Sequence, residues 1–93
     1  MKVRYAETAL RELDEIFAHI SERNPPAAVA VLARIEGLAE LLGQFPLVGH
    51  PTNREGVLVM PLVRYPYLIF YTVDDHAKEV LIVHVRHGAR LRP

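Results

Sequence analysis

The side chains able to do chemistry in this sequence are few, and their spacing narrows what they can do. His19, His50, His76, His84 and His87 are scattered along the chain. His84 and His87 stand three apart in a strand-like run, which puts them on opposite faces and keeps them from sharing a metal ion. Ser21, the only serine, falls late in a helical segment and not at a strand-to-helix elbow, so no serine nucleophile is indicated. Asp74 and Asp75 precede His76 in a polar stretch between two strand-like runs, the composition of a hairpin tip. The five glycines form no phosphate-cradling loop, and with no cysteine there is neither a thiolate zinc site nor a disulfide framework. No metal and no cofactor is expected. What remains is a basic and phenolic set: Arg64, Tyr65, Tyr67, Arg86, His87 and Arg90. Such groups bind phosphates or stabilise a developing negative charge. Within the set His87 alone has the chemistry of a general acid or base, and it fits equally well as a hydrogen-bonded residue at a strand end.

The elements that must position these residues are legible from periodicity. Residues 1–5 alternate weakly and predict a short strand. From Glu7 to Arg23, Leu10, Leu13, Ile16, Phe17 and Ile20 recur at helical spacing, with acids early and His19 and Arg23 late, as the helix dipole favours. Asn24-Pro25-Pro26 breaks the chain and caps a second helix, because asparagine accepts from first-turn amides and proline is tolerated there. Its apolar set is Ala28, Val31, Leu32, Ile35, Leu38, Ala39 and Leu42, with Gly43 expected just past its end and Pro46 preventing continuation. Two amphipathic helices so joined form an αα-hairpin.

A turn-rich stretch from Phe45 to Gly56 follows, and then three β-rich runs, 57–63, 65–73 and 79–86. Their short connections predict an antiparallel meander. Pro61 has no amide hydrogen, so its strand is expected to lie at an edge or bulge there. Strict alternation puts Tyr67, Ile69, Tyr71 and Val73 on one face of the middle strand and Leu68, Phe70 and Thr72 on the other. In the last strand it sets Leu81, Val83 and Val85 against Val80, Ile82, His84 and Arg86. Both faces are then apolar at their centres while a helical hairpin covers one, which predicts an apolar surface reserved for a partner.

Composition sets the outer limits. Ninety-three residues, 51% of them hydrophobic, make one α+β domain, 1–93, and not a disordered tail. No apolar run approaches the roughly 18 residues that span a bilayer, and no signal-peptide layout is present, so a cytoplasmic protein is expected. Eleven basic and eleven acidic residues cancel, which argues against general or sequence-specific nucleic-acid binding. The cancellation hides a polarity: the acids concentrate in the helical half, and residues 84–93 hold three arginines and two histidines with no acid.

The order strand, helical hairpin, Gly/Pro loop and three-stranded meander resembles the ParE/RelE superfamily, the toxins of type II toxin–antitoxin modules. The likeness spans the chain. It rests on the loop Phe45-Pro46-Leu47-Val48-Gly49, the run from Arg64 to Tyr71, and the ending Val85-Arg86-His87-Gly88-Ala89-Arg90, similar to the close of ParE-like members. The resemblance implies a two-layer fold and one of two activities: cleavage of mRNA on the ribosome in the RelE-like branch, or poisoning of DNA gyrase in the ParE-like branch. RelE-like nucleases typically carry an arginine three residues before the tyrosine that matches Tyr71, and here that residue is Leu68. The ParE-like branch is the better match, which implies a gyrase inhibitor with no chemistry of its own. On that reading Arg86, His87, Arg90 and Arg92 face the target. A ParD-like antitoxin, in a heteromeric complex, covers Leu10, Leu13, Phe17, Arg64 and Tyr67. A RelE-like activity would instead draw on His87, Arg64 and Arg90, and an inert, antitoxin-binding member is the third possibility.

Overall fold

The computed structural model describes residues 1–88. The chain runs β1 (Lys2–Tyr5), α1 (Glu7–Ser21), α2 (Pro25–Gln44), β2 (His50–Pro51), β3 (Leu58–Pro61), β4 (Tyr67–Asp74) and β5 (Glu79–His87). Asn24 caps α2 as its position predicts, its Oδ1 accepting from the Ala27 amide at 3.1 Å, with two prolines in the first turn. Ala28, Val31, Ile35, Ala39 and Leu42 form the buried face of α2, a spacing that keeps them on one side of a helix. Leu32, expected with them, is 37% exposed because it falls outside that arc.

Gly43 is not the residue past the helix end. It lies inside the last turn, and Phe45 closes the helix with its amide donating to Leu41 O at 2.8 Å. The reason for glycine is steric: a Cβ there would stand 2.9 Å from the carbonyl oxygen of Met1 and 3.1 Å from Val3 Cγ2. The chain's amino terminus uses this close approach to donate to Gly43 O at 2.6 Å.

The strands form one mixed sheet in the order β1-β5-β4-β3-β2. β3, β4 and β5 make the expected antiparallel meander. β1 lies parallel to β5 on its outside, pairing Lys2–Tyr5 with Glu79–Ile82, with both helices and three strands between them in the chain. β2, two residues inside what reads as loop, extends the opposite edge by pairing His50 and Pro51 with Val59 and Leu58. Pro61, the last residue of β3, lies beyond the reach of β2, so its missing donor leaves no gap in a ladder.

Strict alternation fails in β5. Phe70 pairs with His84 and Tyr71 with Ile82, so Val83 has no opposite residue and the strand bulges there. One extra residue inverts every side chain beyond it. Val80, Ile82 and Val85 therefore share the buried face with Tyr67, Ile69 and Tyr71, while His84 and Arg86 lie opposite Phe70 and Leu68 on the outer face. The two helices cover the inner face with Ala9, Val31, Ile35, Ala39 and Leu42, and Leu13, Ile16 and Ile20 pack against that core. Fully burying each of the larger aliphatic side chains in this cluster contributes roughly 1.5–3 kcal/mol. No helix among the described residues lies over the outer face, and none is long and apolar enough to cross a membrane.

Candidate functional site

Three surface features are built on this frame. The first is a corner where α1 meets the end of β5. β1 stops at Tyr5, so the edge of β5 past Ile82 has no neighbouring strand among the described residues. Glu12, one helical turn past Thr8, reaches that edge. Its Oε1 accepts the Val85 amide hydrogen at 3.0 Å and stands 3.2 Å from His84 Nδ1, and its Oε2 accepts from Arg86 Nε at 3.4 Å. Arg86 Nη2 stands 3.3 Å from Nδ1 and 3.4 Å from Nε2 of that ring; with the proton on Nδ1, His84 donates to the carboxylate and Nε2 is the acceptor left for Nη2. Beside the corner, His87 stacks edge-on with Tyr67, ring centres 5.4 Å apart and planes at 82°. A groove of about 920 Å³ runs between these residues and the Arg11, Glu15 and His19 side of α1.

The second feature is an apolar groove of about 660 Å³ between α2 and the β3–β4 hairpin, lined by Ala33, Gly37 and Leu41 on one wall and Met60, Val63 and Tyr65 on the other. Val63 is 64% exposed. The third is the loop after α2, which shows Phe45, Leu47 and Val48 to solvent. Its backbone is fixed from beneath by Tyr71, whose hydroxyl donates to Pro46 O at 2.8 Å and accepts from the Gly49 amide at 2.9 Å. Burial pushes the Tyr71 phenol above its ordinary value, with the Gly49 hydrogen bond pulling the other way.

The residues singled out in the sequence are distributed over these features. Arg86 and His87 stand together at the α1 corner, and Arg90 and Arg92 lie outside the described residues. Arg64 is exposed in the β3–β4 turn with a φ of 74°, at the same end of the sheet as the start of β4 and the end of β5. Tyr67 is a core residue, 8% exposed. Leu13 packs against the core, Phe17 is half-buried, and Leu10 is 49% exposed. Asp74 acts as a turn residue, its Oδ1 accepting from the amides of His76 and Ala77. No three His, Asp or Glu side chains among the described residues are grouped as metal ligands. Sequence reasoning missed Glu12, whose role follows from the bulge and the early end of β1. It also missed the α2 groove, although Ala33, Gly37 and Leu41 at four-residue spacing on the face away from the core were a readable signal.

The family model for the ParE toxin of the type II toxin–antitoxin system parDE matches residues 3–92. The chain belongs to this family of type II toxins, within the wider ParE/RelE fold. Toxin RelE2 of Caulobacter vibrioides is 37% identical over 86 residues, covering 89% of this chain and 90% of that one. Among solved structures, the chromosomal ParDE system of P. aeruginosa superposes with a TM-score of 0.82 at 24% identity, over 94% of this chain and 95% of its own. The RelBE2 toxin–antitoxin complex of Mycobacterium tuberculosis gives a TM-score of 0.63 at 31% identity, over 92% and 95%.

Proposed function

We propose that this toxin acts by binding DNA gyrase, without chemistry of its own, and that a ParD-like antitoxin neutralises it. The observation that carries the reading is the centre of the outer sheet face. Val59, Leu68, Phe70 and Leu81 occupy it, with Leu68 directly opposite Arg86. A ribonuclease needs cations and an acid–base pair around a scissile phosphate. Here an aliphatic side chain stands where RelE-like nucleases carry arginine, and His84, the histidine on that face, is engaged by Glu12. An apolar centre with a basic rim suits a protein surface better than an RNA backbone. On this reading Arg86 and His87 stand at the target-facing rim, and Arg90 and Arg92, which lie outside the described residues, are proposed to contact the target as well.

The antitoxin reading is supported by the solved relatives, which include toxin–antitoxin complexes. Its seat is the apolar groove along α2, where an amphipathic segment buries its apolar side against Leu41 and Val63 while acids on its flank meet Arg34 and Arg64. The test is direct. Purified toxin is added to a gyrase supercoiling reaction and, separately, to ribosomes programmed with mRNA. Loss of supercoiling, reversed by the antitoxin, supports the proposal. Cut mRNA with gyrase untouched replaces it with the RelE-like reading, and inactivity in both assays with antitoxin binding intact marks an inert member.

A further inference from the structure

β5 outlasts its neighbour. The parallel pairing of β1 with β5 reaches Ile82, where the Ala6 amide donates to Ile82 O at 2.8 Å, and β5 then continues to His87. An amide on such an edge ordinarily goes to water or to a partner strand. The Val85 amide goes to the Glu12 carboxylate instead, and the same carboxylate holds Arg86 Nε and His84 Nδ1. One acid from α1 thus gathers donors from three successive residues, and two of these side chains belong to the outer face. The Arg86 side chain is 42% exposed and that of Glu12 22%, so as an ion pair the contact adds little to stability. Its consequence lies in where it puts the guanidinium. With Nε held by Glu12 and Nη2 against His84, the group is fixed at the rim between the outer face and the α1 groove; among the described residues Nη1 has no partner, which suits it to a carboxylate of a partner protein.

We infer that Glu12 is a positioning residue for Arg86, holding its guanidinium ordered at the target-facing rim before the target arrives. This rests on Arg86 contacting the target, as proposed above. An arginine that is already ordered loses less rotamer freedom on binding. Glu12→Gln is the informative change, because its amide oxygen still accepts from Val85 while the charge that holds Arg86 is gone. It should raise the toxin concentration for half-inhibition of gyrase by roughly three- to tenfold. In an Arg86→Ala background the same change should do nothing further. Where Glu12→Gln fails to fold, Glu12→Asp, which keeps the charge one methylene short of Arg86 Nε, takes its place and should show a loss in the wild-type background and none in Arg86→Ala. In NMR spectra of the wild type, the Arg86 Nε–H signal should exchange slowly, and this protection should vanish in Glu12→Gln.

Equal potency of Glu12→Gln and wild type overturns the inference. So does an equal loss in both backgrounds, which places the effect in the fold and not in Arg86, and so does a freely exchanging Arg86 Nε–H in the wild type. If the wild type inhibits gyrase and Arg86→Ala is harmless, the inference falls and the gyrase reading stands. If the wild type cuts mRNA and leaves gyrase alone, the gyrase reading falls, and the same cycle of variants, scored by cleavage rate with the NMR signal, decides the role of Glu12.

Discussion

The hydroxyl of Tyr71, at the centre of the sheet, lies 2.9 Å from the Gly49 amide nitrogen and bridges it to Pro46 O at 2.8 Å. A fully buried side chain of β4 thereby sets the path of a loop that exposes Phe45, Leu47 and Val48. Tyr71→Phe removes the bridge and leaves one donor and one acceptor of the loop without a partner, which costs about 1–3 kcal/mol. Urea unfolding should show that loss, and hydrogen exchange at the Gly49 amide should accelerate more than exchange in β5. Gly49→Ala should be no milder, since a Cβ there would stand 2.5 Å from the Tyr71 hydroxyl. Unchanged exchange at Gly49 in Tyr71→Phe would show that the loop is held by something else.

Alkaline pH tests a second tyrosine. Burial raises the phenol of Tyr5 above its ordinary value of 10.0, and the negative charge of Glu36 raises it further. Below pH 10 both folded and unfolded chains keep the proton, and the residue contributes no pH dependence. Above it the unfolded chain releases the proton first, so stability falls as pH rises through the folded value. The gap in unfolding free energy between wild type and Tyr5→Phe should stay constant from pH 7 to about 9 and then shift in favour of the variant. Parallel curves up to pH 11 would remove Tyr5 as the source.

Two glycines of α2 should answer the same substitution with opposite signs. Nothing lies within 4 Å of a Cβ at Gly37, so Gly37→Ala should stabilise by the helix-propensity difference, about 0.8–1.0 kcal/mol. Gly43→Ala gains the same propensity but drives its methyl against Met1 O and Val3 Cγ2. Displacing β1 costs typically about 1–3 kcal/mol, so the net change should be destabilising. Thermal unfolding of both variants against wild type measures the contrast, and a stabilised Gly43→Ala would mean that β1 yields without loss.

The helices and the meander were legible because each carries its own signal: apolar spacing in α1 and α2, the Asn24-Pro25-Pro26 cap, and β-branched runs with short turns. What stayed hidden depends on partners distant in sequence. Parallel pairing of β1 with β5 joins residues more than seventy positions apart, and nothing within Lys2–Tyr5 announces it. The bulge at Val83 has no composition of its own, yet it moves Val85 to the core and Arg86 to the outer face, reversing the faces that alternation assigns. Glu12 reads as one acid among several on α1 until β5 is seen to run past β1. The basic character of Arg86 and His87 was visible, whereas the groove beside α2 needed the β3–β4 hairpin to supply its second wall.

The two exposed faces of the helical hairpin separate fold from partner binding. Leu13 packs against the core, so Leu13→Glu buries an unpaired charge and should prevent folding, seen as loss of the cooperative thermal transition. Leu10, 49% exposed on α1, and Val63, 64% exposed on the rim of the α2 groove, should both accept glutamate with stability changed by less than about 0.5 kcal/mol. Their antitoxin affinities should then diverge. An acid at residue 63 repels the acidic flank proposed for the antitoxin and desolvates badly in an apolar groove, so Val63→Glu should weaken the complex at least tenfold. If the antitoxin instead lies along α1, Leu10→Glu carries the loss and Val63→Glu binds as wild type. Titration of antitoxin into each folded variant by calorimetry assigns the seat to one side of the hairpin, and an equal loss in both would place one extended segment across the two.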